Sequence, residues 1–314
     1  TGDTLPERFV VAGVRRQVMR YGENPHQKAS LYGEFHKYFE VFHGKELSYN
    51  NILDLIASVE LAEDIGENSC VIVKHQNPAG AAKGLNTLDA YTKALRCDPV
   101  SSFGGIVSFT NVVDSEVATQ LNEIFLEIIC APAYTENAIK ILQKKKNRRL
   151  LKQLKPVNEN KIMFRNIPGG VIVQDADSIL LNEKQLKTVT NKEPSKKELK
   201  DLIFAWTVSK HTKSNAIIFA KDNATLGVGA GQMSRLDSVK LAYLKAKERS
   251  LDLKDSVAAS DAFFPFADGL LEIVKCGATS IIQPGGSIRD EEVIQAANQN
   301  DISMVFTGIR HFKH

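Results

Sequence analysis

The stretch Cys70-Val71-Ile72-Val73-Lys74-His75-Gln76-Asn77-Pro78 joins four apolar residues directly to a cation, an imidazole and residues that favour turns. A short apolar run bounded by turn residues is typical of a strand buried within a sheet. The Asn-Pro pair and the following Gly80 predict that this strand ends here. Lys74 and His75 would therefore project from the carboxyl end of a strand, where ligands bind in open α/β sheets.

The chemistry of these two side chains suits catalysis. A neighbouring ammonium disfavours a second positive charge, so we expect His75 to stay neutral and able to accept a proton. Lys74 would remain charged and could hold a developing oxyanion. The alternative is a polar pair with no role beyond ending a strand, and these residues alone do not separate the two interpretations.

Helix and strand signals alternate along the chain. Apolar residues recur at helical spacing over 52–59, a helix is predicted near 86–96, and a strand is predicted over 106–109. Asp114 is predicted to cap a helix whose apolar stripe extends to Ile128. This order favours an α/β fold in which helices pack on a mainly parallel sheet.

A strand, a proline turn, a helix and a second strand follow one another twice, over 128–151 and over 281–306. The repetition indicates a duplicated domain, although such units are common in α/β proteins and coincidence is the alternative. The polar, proline-containing segment 191–197 is predicted to be the junction, with Ser195 as the cap of the next helix.

Composition excludes several classes of protein. The chain has 314 residues, enough for two domains, and its 43% apolar and 25% charged residues are those of an ordinary globular protein. A net charge of +3 is too small to indicate a nucleic-acid partner, and the basic run Lys144–Arg149 is predicted to be a solvated helix end. No apolar stretch approaches the roughly 20 residues that span a bilayer, so no membrane contact is expected.

The cysteines are scattered and show no C-x-x-C spacing: Cys70, Cys97, Cys130 and Cys276. A zinc site or a disulfide framework is therefore not expected. Because unpaired cysteines fit a reducing compartment, we predict a cytoplasmic protein.

The segment Gly227-Val228-Gly229-Ala230-Gly231 differs in its glycine spacing from a dinucleotide loop. It reads G-x-G-x-G rather than G-x-G-x-x-G, and no acidic residue closes a following strand about 20 positions on, so a Rossmann site is excluded. We expect these glycines to let the backbone approach a ligand or a neighbouring chain closely. Arg235 follows on the first turn of the next predicted helix, where it could meet an anion.

Three further segments each allow a structural and a functional interpretation. Ser260–Phe266 holds three phenylalanines and a proline, which suits either a core strand entering a turn or an aromatic wall for a planar heterocycle. Ser287 and Asp290 match a capping box, while Gly285-Gly286 before them could form an anion pocket. Arg20–Gln27 is polar and rich in turn residues, and its arginine could bind phosphate.

Together these segments resemble one family, the AICAR transformylase domain of bacterial-type bifunctional purine-biosynthesis proteins (AICAR transformylase/IMP cyclohydrolase). The resemblance covers essentially the whole chain, and its motifs occur in the family's order. The matching segments are Arg20–Gln27, Lys74–Gly80, Ser101–Gly104, Lys213–Asn215, Gly227–Arg235, Ser260–Phe266 and Arg310–His314. The resemblance implies transfer of a formyl group from 10-formyltetrahydrofolate to the 5-amine of AICAR ribonucleotide, giving FAICAR in de novo purine (IMP) biosynthesis.

The resemblance also implies a fold, two tandem cytidine-deaminase-like three-layer αβα subdomains, which we assign to residues 1–192 and 193–314. This arrangement agrees with the repeat in the sequence. The H-x-E and P-C-x-x-C signatures of zinc deaminases are absent from the chain, which disfavours metal-assisted hydrolysis.

Site residues carry over from the resemblance where the motifs match. His75 corresponds to the general base, which takes a proton from the attacking amine through the adjacent carboxamide of the substrate, and Lys74 to the group that stabilises the oxyanion. The nucleotide-contacting positions are Arg20, Tyr21, Gly104, Glu127, Asn215, Arg235, Phe263 and Arg310. The folate-side positions are Asp268, Ser287 and Ile288. No catalytic metal is implied, although some relatives bind a structural potassium ion.

The resemblance further implies a homodimer whose transformylase sites lie between subunits, and the glycines of 227–231 would suit a close subunit approach. The chain begins about where the family's cyclohydrolase domain would end, so a separate IMP cyclohydrolase is expected for the next step.

Two other functions stay open. One is a zinc-dependent hydrolase or deaminase acting on a purine-like base, and the other is a non-catalytic domain that binds a nucleotide or a partner protein.

Overall fold

The computed structural model describes residues 5–158 and 162–314. Residues 1–4 and 159–161 of the predicted first domain lie outside the described part, and no helix inside it is long and apolar enough to cross a membrane. The α-helices are α1 Tyr49–Ile65, α2 Thr87–Cys97, α3 Pro99–Ser102, α4 Ser115–Leu121, α5 Glu136–Leu142, α6 Lys196–Lys210, α7 Arg235–Glu248, α8 Ala267–Lys275 and α9 Asp290–Gln299. The strands are β1 Arg15–Val18, β2 Ser30–Tyr32, β3 Phe39–His43, β4 Ser69–Lys74, β5 Asn77–Lys83, β6 Ile106–Phe109, β7 Ile128–Ala131, β8 Arg149–Gln153, β9 Ile162–Ile167, β10 Gly170–Asp175, β11 Lys187–Thr188, β12 Ile217–Lys221, β13 Ala224–Gly229, β14 Ser256–Ser260, β15 Ala278–Gln283 and β16 Ser303–Phe306.

One large sheet of twelve strands runs in the order β11-β16-β15-β14-β12-β13-β5-β4-β6-β7-β8-β3. The pairs β6–β7, β7–β8, β14–β15 and β15–β16 are parallel. The remaining pairs of this sheet are antiparallel. The predicted α/β class is therefore confirmed, whereas the predicted mainly parallel sheet is wrong because the sheet is mixed.

Two tight hairpins explain this difference. Only His75 and Gln76 join β4 to β5, and only Asp222 and Asn223 join β12 to β13. A two-residue loop can connect antiparallel strands but not parallel ones. The sequence predicted a strand end at Asn-Pro, but the chain returns there as β5, and Pro78 is tolerated because the pairing of β4 with β5 shifts register beside it.

The order of elements in the large sheet and its helices is the same in the two halves of the chain. The first half runs β3, α1, β4, β5, α2, β6, α4, β7, α5, β8, and the second runs β11, α6, β12, β13, α7, β14, α8, β15, α9, β16. The short helix α3 lies between α2 and β6 in the first half, and the described residues of the second half hold no helix at the corresponding place, between α7 and β14. The strand orders mirror each other about the β5–β13 pair at the centre, where Ala82 pairs with Ala224.

Helices cover both faces of the sheet. Along β4, Val71 and Val73 pack with α1 and α6 on one face, while Cys70 and Ile72 pack with α2 and α4 on the other. This alternation follows from the two-residue period of a strand, and it explains why the run is apolar throughout. In the second half, α7, α8 and α9 pack on the face opposite α6.

Several local predictions can be compared directly with the structure. Asp114 accepts hydrogen bonds at the start of α4, and Ser195 forms a reciprocal capping box with Glu198 at the start of α6, so both predicted caps are confirmed. The stripe predicted to extend to Ile128 is wrong, because α4 ends at Leu121 and Ile128 begins β7.

Two predicted helix ends differ from the structure. The capping box at Ser287 does not form, because the chain first makes a turn and α9 begins at Asp290 with Arg289 as its N-cap. The basic run is not wholly solvated, because Arg148 is only 1% exposed and donates to the backbone carbonyls of Leu121 and Ile124, at and just after the end of α4. A guanidinium buried by contacts with a distant segment has no signature in a run of basic residues.

The glycines of β13 serve packing within the chain. A Cβ on Gly229 would lie 1.9 Å from the carbonyl oxygen of Ser238 in α7, and one on Gly227 would lie 2.7 Å from that of Ala242. The predicted close approach is therefore made by a helix of the same chain, and the expectation that these two glycines face a ligand or another subunit is wrong.

Two hairpins, β1–β2 and β9–β10, lie outside the large sheet. Every residue of β9 is exposed, and so is nearly every residue of β10. The exposed apolar side chains of this hairpin are Ile162, Met163, Phe164, Ile167, Val171 and Ile172. Phe9 packs on one end of it, with ring centroids of Phe9 and Phe164 5.4 Å apart.

Candidate active site

The turn after β4 presents the imidazole of His75 to solvent. His75 and Gln76 have φ angles of 53° and 61°, a left-handed conformation that a tight hairpin requires and that residues other than glycine seldom adopt. The carboxylate of Asp54, on α1, accepts hydrogen bonds from both backbone amides of the turn, at 3.2 Å from His75 and 2.7 Å from Gln76. A residue of the neighbouring helix therefore holds the turn in place.

Lys74 connects the end of β4 to the segment that follows α3. Its ammonium donates to the carbonyl of Phe103 over 2.7 Å, directly beside Gly104. Gly104 has a φ of 76°, and its amide donates to the carbonyl of Phe125 over 2.7 Å. The rings of Phe103 and Phe125 lie 5.5 Å apart and are both partly exposed, so an aromatic surface borders the lysine.

Glu127 belongs to the same group of residues. Its carboxylate accepts a hydrogen bond of 2.9 Å from the side-chain amide of Asn51, one turn before Asp54 on α1, and lies 3.5 Å from Arg149. Burial raises the pKa of the Asp54 carboxyl above its ordinary value, outweighing the hydrogen bonds from the turn amides, and the nearby charge of Glu127 raises it further. The predicted residues Lys74, His75, Gly104 and Glu127 thus lie around one end of α1.

A second group of predicted residues lies at the start of α7. Arg235 opens this helix as predicted, and its guanidinium donates to the Asp261 carboxylate over 2.6 Å and to the side-chain oxygen of Asn215 over 2.8 Å. Asp261 is fully buried, so the ion pair is largely withdrawn from water. The side-chain amide of Asn215 in turn donates to the carbonyls of Gln232 and Met233.

One hydrogen bond joins the two groups across the centre of the sheet. The side-chain oxygen of Asn77, the first residue after the His75 turn, accepts from the amide of Lys213 over 3.0 Å. Lys213 precedes Asn215 by two residues, and its carbonyl accepts from Gly231 over 2.7 Å. The turn of the first half and the anion-binding candidate of the second half are therefore adjacent.

The carboxyl-terminal segment packs beside this second group. His311 donates its amide to the carbonyl of Asp261 over 3.1 Å, and Ser214 donates its amide to the carbonyl of Lys313 over 2.9 Å. Arg310 itself is exposed, with its guanidinium 4.3 Å from the ring centre of Phe312. A free cation therefore stands at the edge of the Asn215–Arg235 group.

Arg20 and Tyr21 lie on the loop between β1 and β2, where the guanidinium stands 5.6 Å from the tyrosine ring centre. The loop is attached to the start of α1 by a hydrogen bond of 3.2 Å from Asn50 to the carbonyl of Glu23. Asn50 directly precedes Asn51, whose side chain binds Glu127, so this loop approaches the group around Lys74 and His75.

The segment Ser260–Phe266 divides its aromatic residues between core and surface. Phe264 is fully buried, Phe263 is partly exposed, and Phe266 is 48% exposed beneath the guanidinium of Arg289. The core interpretation is confirmed for Phe264, whereas an aromatic wall formed by Phe263 stays a prediction.

The predicted folate-side residues lie apart from the turn. Asp268 is exposed on the first turn of α8, Ile288 is fully exposed, and the Ser287 hydroxyl accepts from the Arg289 amide over 3.1 Å. Across residues 5–158 and 162–314, the hydrogen bonds, ion pairs and ring contacts do not join any of these three to Lys74 or His75. Within the described residues, hydrogen bonds through Asn77 and Lys213 link the turn to the Asn215–Arg235 group, whereas no direct contact of these kinds places the three folate-side residues at the turn.

A cavity of about 530 Å³ lies elsewhere in the described chain and is lined by residues that include Gln17, Phe35, Phe39, Val41, Leu47 and Leu154. None of the predicted site residues is among its lining. The described residues also hold no cluster of three or more His, Cys, Asp and Glu side chains that could bind a metal ion.

Sequence reasoning missed two carboxylates that organise this site. Asp261 follows β14 directly, at a strand end like that of His75, so the same argument could have identified it. Asp54 lies within α1, and no local pattern distinguishes it from a solvated helix residue, because its partners are 21 and 22 positions away.

The chain is similar in sequence to known proteins over most of its length. The family model described as AICARFT/IMPCHase bienzyme matches residues 1–245. The bifunctional purine biosynthesis protein PurH of Chlorobaculum parvum is 52% identical over 306 residues, which cover 94% of this chain and 58% of that protein. PurH of Persephonella marina is 51% identical over 322 residues, covering 99% of this chain and 62% of that protein. The chain thus spans about three fifths of the length of these curated relatives.

Proposed function

The chain belongs to the AICARFT/IMPCHase bienzyme family, and from this we propose that it transfers the formyl group of 10-formyltetrahydrofolate to the 5-amine of AICAR ribonucleotide, giving FAICAR in IMP biosynthesis. The observation that carries the proposal is the hydrogen bond from Lys213 to Asn77. It links the turn that carries Lys74 and His75, through Lys213, to the group that contains Asn215 and Arg235. A base, an oxyanion donor and an anion site in one place are what acyl transfer to a phosphorylated amine requires.

In the proposed mechanism, His75 acts as the general base. The amine of AICAR is a poor nucleophile because its lone pair is delocalised into the imidazole ring, so proton removal and orientation must contribute substantially. The amine nitrogen attacks the formyl carbon as its proton passes through the adjacent carboxamide to His75. The tetrahedral intermediate then collapses, the bond from carbon to the folate nitrogen breaks, and that nitrogen takes up a proton. The exposure of the imidazole supports this role, since a substrate can reach it.

Lys74 would stabilise the oxygen of that intermediate. A lysine ammonium has three N–H donors, and the carbonyl of Phe103 occupies one of them. The other two remain available to a negatively charged oxygen. Because the Phe103 contact fixes the ammonium beside the turn, the donor is oriented before the substrate arrives.

The nucleotide would bind across both groups of residues. We assign to it Arg20, Tyr21, Gly104, Glu127, Asn215, Arg235, Phe263 and Arg310. Because Asp261 already neutralises Arg235, the exposed guanidiniums of Arg20 and Arg310 supply the net positive charge for the phosphate. Arg235 and Asn215 then act mainly as fixed hydrogen-bond donors.

We propose that the folate is bound by Asp268, Ser287 and Ile288 and that a second copy of the chain completes the site. Within the described residues, none of the three makes a hydrogen bond, ion pair or ring contact with Lys74 or His75, which is consistent with this arrangement. The exposed apolar hairpin β9–β10 also supports a homodimer, because an isolated two-stranded hairpin is marginal in water unless another surface covers it.

The dimer is tested by light scattering of the purified chain and of an Ile172→Asp variant. The wild type is expected to have the mass of two chains, and the variant is expected to shift toward one chain and lose turnover. A wild-type monomer that retains full formyl transfer would refute the shared site.

The repeated order of elements supports our assignment of two cytidine-deaminase-like αβα subdomains, which we place at residues 1–192 and 193–314, although the pairing of β11 with β16 sets the start of the second series a few residues before that boundary. We further propose a cytoplasmic location, with a cyclohydrolase reaction that converts FAICAR to IMP as the next step. A structural potassium ion, which the family allows, would raise the thermal midpoint in potassium buffer relative to lithium buffer.

The proposed activity is tested by a spectrophotometric assay of tetrahydrofolate release from 10-formyltetrahydrofolate, with and without AICAR ribonucleotide. We expect release that depends on AICAR. Binding of AICAR without folate-dependent turnover would favour the non-catalytic alternative. Stoichiometric zinc in the purified protein, together with release of ammonia from a purine-like base, would favour the deaminase alternative.

A further inference from the structure

The two halves of the chain build their central hairpin turns in the same way. Asp54 of α1 accepts from the backbone amides of His75 and Gln76 at 3.2 and 2.7 Å. Asp201, at the corresponding place on α6, accepts from the amides of the β12–β13 turn, Asp222 and Asn223, at 3.0 and 2.7 Å. All four turn residues have φ between 53° and 61°.

The two turns differ in how well their own residues suit this conformation. Asp222 and Asn223 are of the types that adopt left-handed backbone most readily among residues with a side chain, so the second turn is favoured locally. In the first turn, histidine also adopts this conformation comparatively often, but the glutamine at the second position is less suited to it than asparagine. The first turn therefore depends more on the helix carboxylate that holds its two amides.

The imidazole of His75 has few other restraints. Within residues 5–158 and 162–314, its ring nitrogens make no hydrogen bond, and the side chain is exposed. The contacts of this residue are made by its backbone, through its amide to Asp54 and its carbonyl to the side chain of Asn77. The position of the backbone turn thus decides where the ring points.

We propose that Asp54 is a positioning residue for formyl transfer: its carboxylate fixes the His75–Gln76 turn so that the imidazole and the Lys74 ammonium meet one reacting centre. This inference rests on the proposed function. Burial of the Asp54 carboxylate is consistent with a fixed support, because a desolvated carboxylate is stable only while its hydrogen-bond donors are in place.

The test compares Asp54→Asn with Asp201→Asn. Each substitution keeps the side-chain volume but replaces one acceptor oxygen by a donor, so each loses one of the same two backbone contacts. Both variants are expected to lower the thermal midpoint. Only Asp54→Asn is expected to lower kcat, by about 10- to 100-fold with KM for AICAR changed by less than about threefold, because a small misplacement of a catalytic group affects the transition state most.

A second variant separates positioning from a general loss of folding. Gln76→Asn gives the first turn the residue that the second turn has at the same position, Asn223, and so favours the left-handed backbone without Asp54. In the Asp54→Asn background it is expected to restore kcat by about threefold or more, because the turn then needs less outside support. Hydrogen exchange of the peptide that contains residues 74–77 should be faster in Asp54→Asn and slower again in the double variant.

The outcomes distinguish this inference from the proposed function. A wild type without AICAR-dependent release overturns both. A wild type with turnover, combined with a folded Asp54→Asn that keeps its kcat, overturns only the role of Asp54. An Asp201→Asn variant that loses kcat equally also overturns it, because the effect would then be one of stability. If Asp54→Asn does not fold, Asp54→Glu takes its place: it moves the carboxylate away by one methylene group, so a folded Asp54→Glu with the wild-type kcat refutes the role in the same way.

Discussion

At the scale of single residues, the ammonium of Lys74 is held by a hydrogen bond of 2.7 Å to the Phe103 carbonyl. We predict that Lys74→Ala lowers kcat on the order of 10²- to 10³-fold, the usual effect of removing one donor to an oxyanion. Steady-state kinetics of formyl transfer measures the change. Lys83→Ala, at the far end of the same hairpin, is the matched control and should keep kcat. A folded Lys74→Ala variant with the turnover of Lys83→Ala would exclude the oxyanion role.

Arg235 has both a structural and a binding role. Its side chain is 10% exposed and its partner Asp261 is fully buried, so Arg235→Ala would leave an unpaired buried carboxylate. We predict a loss of about 3–5 kcal/mol in the free energy of unfolding together with weaker AICAR binding. Urea unfolding and calorimetric titration measure the two effects.

The control for this prediction adds Asp261→Asn to Arg235→Ala. Removal of the buried charge should return part of the stability but none of the nucleotide affinity. An Arg235→Ala variant as stable as the wild type would show that the ion pair does not matter for folding.

The residues of the candidate site differ in whether the neighbouring sequence reveals their position. Lys74, His75 and Arg235 could be predicted because each sits at the end or start of an element that the sequence itself marks. Asp54 could not, because its function depends on packing between α1 and a turn that follows a separate strand. The burial of Arg148 was hidden for the same reason, since its acceptors lie in the loop after another helix.

At the scale of elements, the packing of α7 on β13 depends on glycine. We predict that Gly229→Ala lowers the free energy of unfolding by about 1–3 kcal/mol or more, because the added methyl group would overlap the Ser238 carbonyl and force the helix away. Chemical denaturation measures the loss. Gly170→Ala is the control, because no atom lies within 4 Å of its added Cβ. Equal losses at the two positions would contradict this account of the glycines.

Elements with a strong local pattern were predicted, and elements that depend on pairing were not. Asn86 caps α2, which runs over Thr87–Cys97, close to the helix predicted at 86–96, and β6 has the bounds predicted. β5 was missed because its proline normally argues against a strand, and only the register shift in its pairing with β4 makes it acceptable.

At the scale of the whole molecule, a buried ionic contact joins the helices of the two halves. The Asp64 carboxylate of α1 lies 2.8 Å from the ammonium of Lys210 and 2.7 Å from Nε2 of His211, at the end of α6. Burial lowers the pKa of His211 below its ordinary value, although the hydrogen bond to Asp64 opposes this shift. For Asp64, burial alone would raise the pKa, but the contacts with His211 and Lys210 outweigh it and the pKa is lowered.

These shifts predict that the protein loses stability in acid. The unfolded histidine has a pKa of about 6.5 and binds a proton more readily than the buried one, so the free energy of unfolding should fall as the pH drops below about 7. Asp64 should add a further loss below about pH 4, where the unfolded carboxyl becomes protonated. Urea unfolding between pH 8 and 5 measures the first effect, and His211→Gln should flatten the curve. The same slope in that variant would exclude His211 as its source.

The overall architecture was predictable in part. Alternating helix and strand signals were enough for the α/β class, and the strand–helix–strand units over 128–151 and 281–306 appear as β7–α5–β8 and β15–α9–β16. The mixed sheet was not predictable, because two-residue turns built from His75-Gln76 and Asp222-Asn223 do not carry the glycine that usually marks a hairpin. The order of strands about the β5–β13 pair follows from long-range pairing and has no local signal.

The most direct test of the central claim is the single-turnover rate of formyl transfer from 10-formyltetrahydrofolate to AICAR ribonucleotide by the wild type and by His75→Ala. We predict AICAR-dependent transfer by the wild type and a rate lowered by roughly 10²- to 10⁴-fold in the variant, as expected for loss of a general base. A folded His75→Ala variant that transfers the formyl group at the wild-type rate would contradict the account.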